Sequence, residues 1–141
     1  MSSTSGDATP LEADFAALRK LREDDASGAL KEFFGDGEDP REWKVKDWAG
    51  NDIKAVTVKD GRVTKLSLNM CSSLAALPDT IGELKALTEL FLQRCTSLAA
   101  LPAAIGELKA LTKLDLRDCS SLAALPDTIG ELKALTELDL S

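Results

Sequence analysis

The sequence predicts an α/β fold: a short solenoid whose parallel strands line one inner sheet, entered through a helical N-terminal module and a β-hairpin. Three observations carry this expectation. A unit of 24 residues occurs three times in succession, at 63–86, 87–110 and 111–134, and a fourth opens as LTELDLS at 135–141. Within each unit the apolar spacing changes from alternation to a helix-like rhythm. Upstream, DIKAVTVKDGRVTKLSL at 52–68 places Asp60-Gly61 between two alternating runs, a pair that accepts the positive φ angles of a tight hairpin.

The elements follow in order. Residues 1–10 are small and polar and are expected to form a disordered tail. From there Leu11, Phe15, Leu18 and Leu21 fall at helical spacing, SGALKEFF at 27–34 reads as a second short helix, and GDGEDPREW at 35–43 reads as loop. The span 11–52 is therefore expected to be a helical module with its loop. The segment 53–62 is expected to lie antiparallel on the first repeat strand, covering an otherwise open sheet edge. Residues 63–141 hold the repeats, three full and one partial.

In the first unit Leu66 and Leu68 alternate with polar residues, as in a half-buried strand; after Cys71 the apolar positions are Leu74, Leu77, Ile81 and Leu84. Pro78 starts that second segment, and Gly82 is expected to weaken it locally. A single coil of this kind cannot bury both flanks, so stability rests on neighbouring coils and the ends are the weak places.

Composition bounds the function. The chain has 141 residues, 44% of them apolar and 29% charged, in keeping with one soluble domain. A net charge of −7 opposes binding to phosphate backbones, which Lys and Arg drive, so neither nucleic acid nor an anionic membrane is expected as a partner. The N-terminus lacks the basic and apolar regions of a secretory signal, and no apolar run is long enough to span a bilayer. A cytoplasmic location is the expectation.

The repeated string has the form L-x-x-L-x-L-x-x-C-x-S-L-x-x-L-P-x-x-I-G-x-L. It resembles leucine-rich repeats. With Cys in the usual Asn place and the Leu-Pro-x-x-Ile-Gly string, it looks like the repeats of plant-type intracellular immune receptors and of the related Ras-group intracellular repeat proteins. The stretch at 48–66, with Trp48, Gly50, Val58, Gly61, Arg62, Val63 and Leu66, resembles the N-terminal cap of plant receptor-type leucine-rich repeats. The cysteine pair usual in those caps is absent, which agrees with a reducing compartment. The resemblance covers roughly the C-terminal half of the chain, without either relative's signalling domains, and implies recognition of a protein or peptide surface.

Several chemistries are not expected. Cys71, Cys95 and Cys119 recur at the repeat interval, which sets them out as a ladder with strands about 4.8 Å apart; with no His in the chain, a shared tetrahedral zinc site is not formed. They read as buried, free and structural. The acidic residues of 35–43 lack the register of a calcium loop. His and Tyr are absent, as are the phosphate-cradling and nucleophile-elbow motifs. Asp115 and Asp139 should lie side by side, but on an open sheet solvent screens such a pair. The chain is expected to be non-catalytic and to need no cofactor or metal.

The strand positions that face outward are where the copies differ. One column runs Lys65, Glu89, Lys113, Glu137; the next Ser67, Phe91, Asp115, Asp139; the third Asn69, Gln93, Arg117, Ser141, with Met70, Arg94 and Asp118 beyond. The first alternates in sign and reads as a self-satisfying ladder. The others do not, and Phe91 stands out as an anchor, with Arg94, Asp115, Arg117 and Asp118 setting orientation. On the opposite side Glu83, Glu107 and Glu131 repeat unchanged, as do Lys85, Lys109 and Lys133. Duplication followed by drift is the plain account of this contrast; a constant scaffold carrying a varied binding strip is the functional one. The expected function is protein or peptide binding on the concave sheet face, as a sensing or adaptor module. The alternative is the start of a longer repeat array without activity of its own, or self-association through the C-terminal edge.

Overall fold

The computed structural model describes residues 9–35, 37–46 and 49–140. Most of the expected tail, Trp48 of the cap-like stretch and Ser141 of the third column lie outside the described residues.

Helix α1 (Pro10–Asp24) begins where the local chemistry favours it: Pro10 opens the first turn, and the Thr9 hydroxyl accepts from the Glu12 N–H at 3.1 Å, supplying one of the orphan amides with a partner. Its inner face buries Phe15, Ala17, Leu18 and Leu21. Asp14 is buried with them. Its carboxylate accepts from the Arg62 guanidinium at 2.8 and 3.0 Å and from the Val63 N–H at 3.0 Å, which ties the helix to the start of the repeat sheet. The same helix packs on the first convex turn, where Lys20 meets Glu83 at 3.6 Å and the Thr80 hydroxyl donates to Asp24.

Helix α2 (Ala29–Phe34) follows, with the Asp25 carboxylate accepting from the Leu30 N–H at 2.8 Å. Between α2 and the sheet, buried Arg22 donates to the carbonyls of Gly35 and Gly37 and lies over the Trp43 ring, which also stacks on Phe34. The span read as helix and loop also contains a strand, β1 (Lys44–Lys46), antiparallel to β2 (Asp52–Lys54) with Val45 opposite Ile53. Three residues are too few for alternation to show in a sequence.

The strand expected at 53–62 is divided. Its first part belongs to β2, and its second, β3 (Val56–Lys59), pairs antiparallel with β4 (Arg62–Ser67). The break is Ala55, buried, whose N–H donates to the Trp43 carbonyl at 3.0 Å and whose carbonyl accepts from the Ser67 N–H at 2.7 Å. A small side chain lets one residue serve both sheets. Asp60 (φ 54°) and Gly61 (φ 73°) turn the β3–β4 hairpin.

The main sheet runs β3-β4-β5-β6-β7, with β5 (Glu89–Phe91), β6 (Lys113–Asp115) and β7 (Glu137–Asp139) parallel to β4. Adjacent coils stand in register, so Leu66, Leu90 and Leu114 stack at full burial. Pro78, Pro102 and Pro126 each precede a 3₁₀ turn on the convex side, at 79–83, 103–107 and 127–131. Gly82, expected to be a local weakener, also lies where neighbouring turns approach closely. A Cβ there would stand 3.0 Å from the Ala104 carbonyl oxygen, and one on Gly106 would stand 2.8 Å from that of Thr128. The coils approach too closely for a side chain.

Side-chain ladders add to the backbone register. Thr88, Thr112 and Thr136 each donate their hydroxyl to the carbonyl of the Thr one coil earlier. The Cys95 thiol donates to the Leu68 carbonyl and Cys119 to that of Leu92. Burial pushes the Cys71 and Cys95 thiols up to about 12, so at neutral pH both stay protonated and Cys95 keeps the hydrogen it donates. At the far end of the stack Leu140 is 54% exposed, and a Cβ on Gly130 would meet nothing. Among the described residues no helix is long and apolar enough to cross a membrane.

Candidate interaction face

The sheet's concave surface is built by alternate residues of β4 to β7, whose partners turn into the core. Each coil leaves the sheet through a residue with positive φ, at the same place each time: Met70 (70°), Arg94 (58°) and Asp118 (61°). Left-handed backbone is unfavourable for a residue with a Cβ, and here it recurs because the parallel ladder continues past it, from the Met70 N–H to the Gln93 carbonyl and from the Arg94 N–H to the Arg117 carbonyl. The turn puts Arg94 and Asp118 together on the exposed rim, 3.6 Å apart.

Phe91 is half-buried on β5. Lys65 and Lys113, from the strands on either side, hold their ammonium groups 5.0 and 5.5 Å from its ring centroid, within range of a cation–π attraction. The sign-alternating column therefore does not satisfy itself throughout. Lys113 reaches Glu137 at 3.5 Å, whereas Lys65 has the Phe91 face and, among the described residues, no carboxylate within ion-pair distance.

Asp115, expected to face a partner, is fully buried. It accepts from Arg117 Nε at 3.0 Å, Nη2 at 2.8 Å and the Arg117 N–H at 3.2 Å, and from Gln93 Nε2 at 2.9 Å. Burial by itself would raise the carboxyl's pKa; the hydrogen bonds from Arg117 and Gln93 outweigh it and hold it below the ordinary carboxylate value. Asp115 is buried because the long side chains of Gln93 and Arg117 fold over its short one. Asp115 faces Asp139 in register, yet its oxygens are committed to Arg117 and Gln93. It holds the Arg117 guanidinium in a set orientation while the Arg117 side chain stays partly exposed.

Of the five expected contact residues, Phe91 and Asp115 are register partners, Arg117 is held on Asp115, and Arg94 pairs with Asp118. They form one patch across β5, β6 and the turns that follow. Beside it lies a hollow of about 320 Å³ between the hairpin and β5, which the sequence did not reveal. Its floor includes Ser67, only 5% exposed, whose hydroxyl has no hydrogen-bond partner among the described residues. The signal that could have located it is the pairing of Thr57 with Lys65 across the hairpin.

No protein-family model matches the sequence, and comparison with curated proteins finds no match. Solved structures do match. The leucine-rich repeat domain of the type III effector XopL is 36% identical at a TM-score of 0.50, over 55% of this chain and 26% of that one. A plant ice-binding protein is 20% identical at a TM-score of 0.61, over 91% of this chain and 39% of that one. A leucine-rich repeat protein of Leptospira interrogans is 28% identical at a TM-score of 0.45, over 72% of this chain and 32% of that one. The chain thus spans 26% to 39% of the length of these structures. With the recurring strand, ladder and 3₁₀ turn of each coil, the match to the XopL domain gives the chain a leucine-rich-repeat fold.

Proposed function

We infer that this is a non-catalytic interaction module that takes a protein or peptide on its concave face, through the patch formed by Phe91, Arg94, Arg117 and Asp118, with Asp115 positioning Arg117. The observation that carries the reading is the Arg117 guanidinium fixed by a buried carboxylate in register with a half-buried aromatic. A pre-oriented charge beside an aromatic anchor lowers the ordering cost of binding. The repeats are of the 24-residue plant-type intracellular kind, with the β3–β4 hairpin as their cap, and an intracellular sensing or adaptor role is part of the reading. The free thiols Cys71, Cys95 and Cys119 support a reducing setting.

The test is affinity capture with the native chain, Phe91→Ala and Arg117→Glu. Both variants are expected to lose the specific partner. Retention of every specific partner by both would overturn the assignment.

A second reading is self-association through the edge strand β7. Sedimentation across a range of concentrations decides it: a mass that rises with concentration supports edge pairing, and a monodisperse monomer counts against it.

A further inference from the structure

We propose that the hollow beside the β3–β4 hairpin is a subsite for an acidic side chain followed by an aliphatic one in a bound peptide. It rests on the concave face being the interaction surface and names the chemistry that one part of it takes.

Three independent features converge on about 320 Å³ of space lined by Ile53, Lys54, Thr57, Lys65, Ser67 and Phe91 among others. The first is charge. Lys20, Lys46, Lys85, Lys109 and Lys113 each lie near a carboxylate. Among the described residues, Lys44, Lys54, Lys59, Lys65 and Lys133 have none within ion-pair distance, and two of these, Lys54 and Lys65, line the same hollow. In a chain of net charge −7, two ammonium groups without a carboxylate partner beside one hollow, Lys65 against the Phe91 ring, form a local positive site on a repulsive background. That background disfavours an extended polyanion and leaves room for a single carboxylate.

The second feature is Ser67. A hydroxyl left without a partner in a residue 5% exposed carries a desolvation cost that a bound acceptor would relieve. A carboxylate has two oxygens: one can accept from Ser67 Oγ–H and the other from a lysine ammonium, forming a charge-assisted pair. The third feature is the apolar wall. Ile53 is 38% exposed, and half-buried Phe91 lines the same hollow. An aliphatic side chain following the acidic one would cover both. A free anion would use only the polar half.

The test is an amide-resolved NMR titration of the full chain with acetyl-Gly-Glu-Leu-Gly-amide, its Gln counterpart, acetate and inorganic phosphate. The Glu peptide is expected to shift amides at 53–57, 65–69 and 91 and to bind about fivefold or more tightly than the Gln peptide, acetate or phosphate. Lys65→Gln and Ser67→Ala are each expected to weaken it about threefold or more. Ser67→Ala removes an unpartnered hydroxyl, so its Tm should be unchanged or higher, which separates lost binding from lost folding. Equal binding of the Gln peptide, or phosphate binding as tight as the Glu peptide, would overturn the proposal. Shifts confined to 93–95 and 115–118 would overturn the subsite and leave the concave-face reading standing. No concave shift at all, together with partner capture indifferent to Phe91→Ala, would remove both.

Discussion

The convex and concave sides of the stack are made by the same recurring coil, and they place charge in opposite ways. In a parallel register each position faces its own copy, so an unchanged charged column sets like against like. The convex side resolves this by offset: Lys85 reaches Glu107 at 2.9 Å and Lys109 reaches Glu131 at 3.4 Å, so identical coils close their own pairs. The concave side resolves it by variation. Lys65 and Lys113 turn to Phe91, Asp115 is buried under Arg117 and Gln93, and Arg94 crosses to Asp118. One side can therefore repeat indefinitely without a partner, and the other is particular to its coils. The convex side thus has the character of a scaffold, and the concave side is the proposed recognition surface.

That division can be broken at three places. The largest effect is expected on the scaffold side. Gly106→Ala sets a Cβ 2.7 Å from the Thr128 Cβ, and overpacking of this kind costs about 1–3 kcal/mol; Gly130→Ala, where nothing is met, should stay within about 0.5 kcal/mol. Urea unfolding of the two variants reads the difference directly, and partner binding should follow neither.

Asp115→Asn comes next. It weakens charge-assisted hydrogen bonds to Arg117 and Gln93, at a cost of about 1–2 kcal/mol. The sign with pH follows from the lowered folded-state value. The carboxylate's contribution is present above the unfolded value of about 3.9 and is lost as pH falls through the folded one. Unfolding free energy measured from neutral pH downwards should therefore fall less steeply in Asp115→Asn than in the native chain. Smallest is Lys85→Ala on the convex side. Its exposed pair with Glu107 should contribute little to stability, and that contribution should vanish in high salt.

How much of this was readable beforehand depended on whether a feature repeats. The interval itself, the stacked Leu66, Leu90 and Leu114, and the regular cysteines are periodic, so the sequence displays them. The Asp60-Gly61 turn is local and equally visible. What was hidden depends on single, long-range encounters. Asp14 with Arg62 joins residues 48 apart, and Asp115 changes from surface to buried because of two particular neighbours. Ser67 is buried because the hairpin folds across it through Ala55. The close approach at Gly82 and Gly106 depends on the neighbouring coil and is not displayed by the glycine alone. The concave columns placed Phe91, Arg94, Arg117 and Asp118 on one face but could not say which charges would be spent within the chain.

The most direct measurement is the dissociation constant of a captured partner for four chains: native, Phe91→Ala, Arg117→Glu and the convex Lys109→Glu. The account predicts that the two concave variants weaken binding about tenfold or more, while Lys109→Glu binds as the native chain does. Loss of affinity in Lys109→Glu with both concave variants unchanged would contradict it.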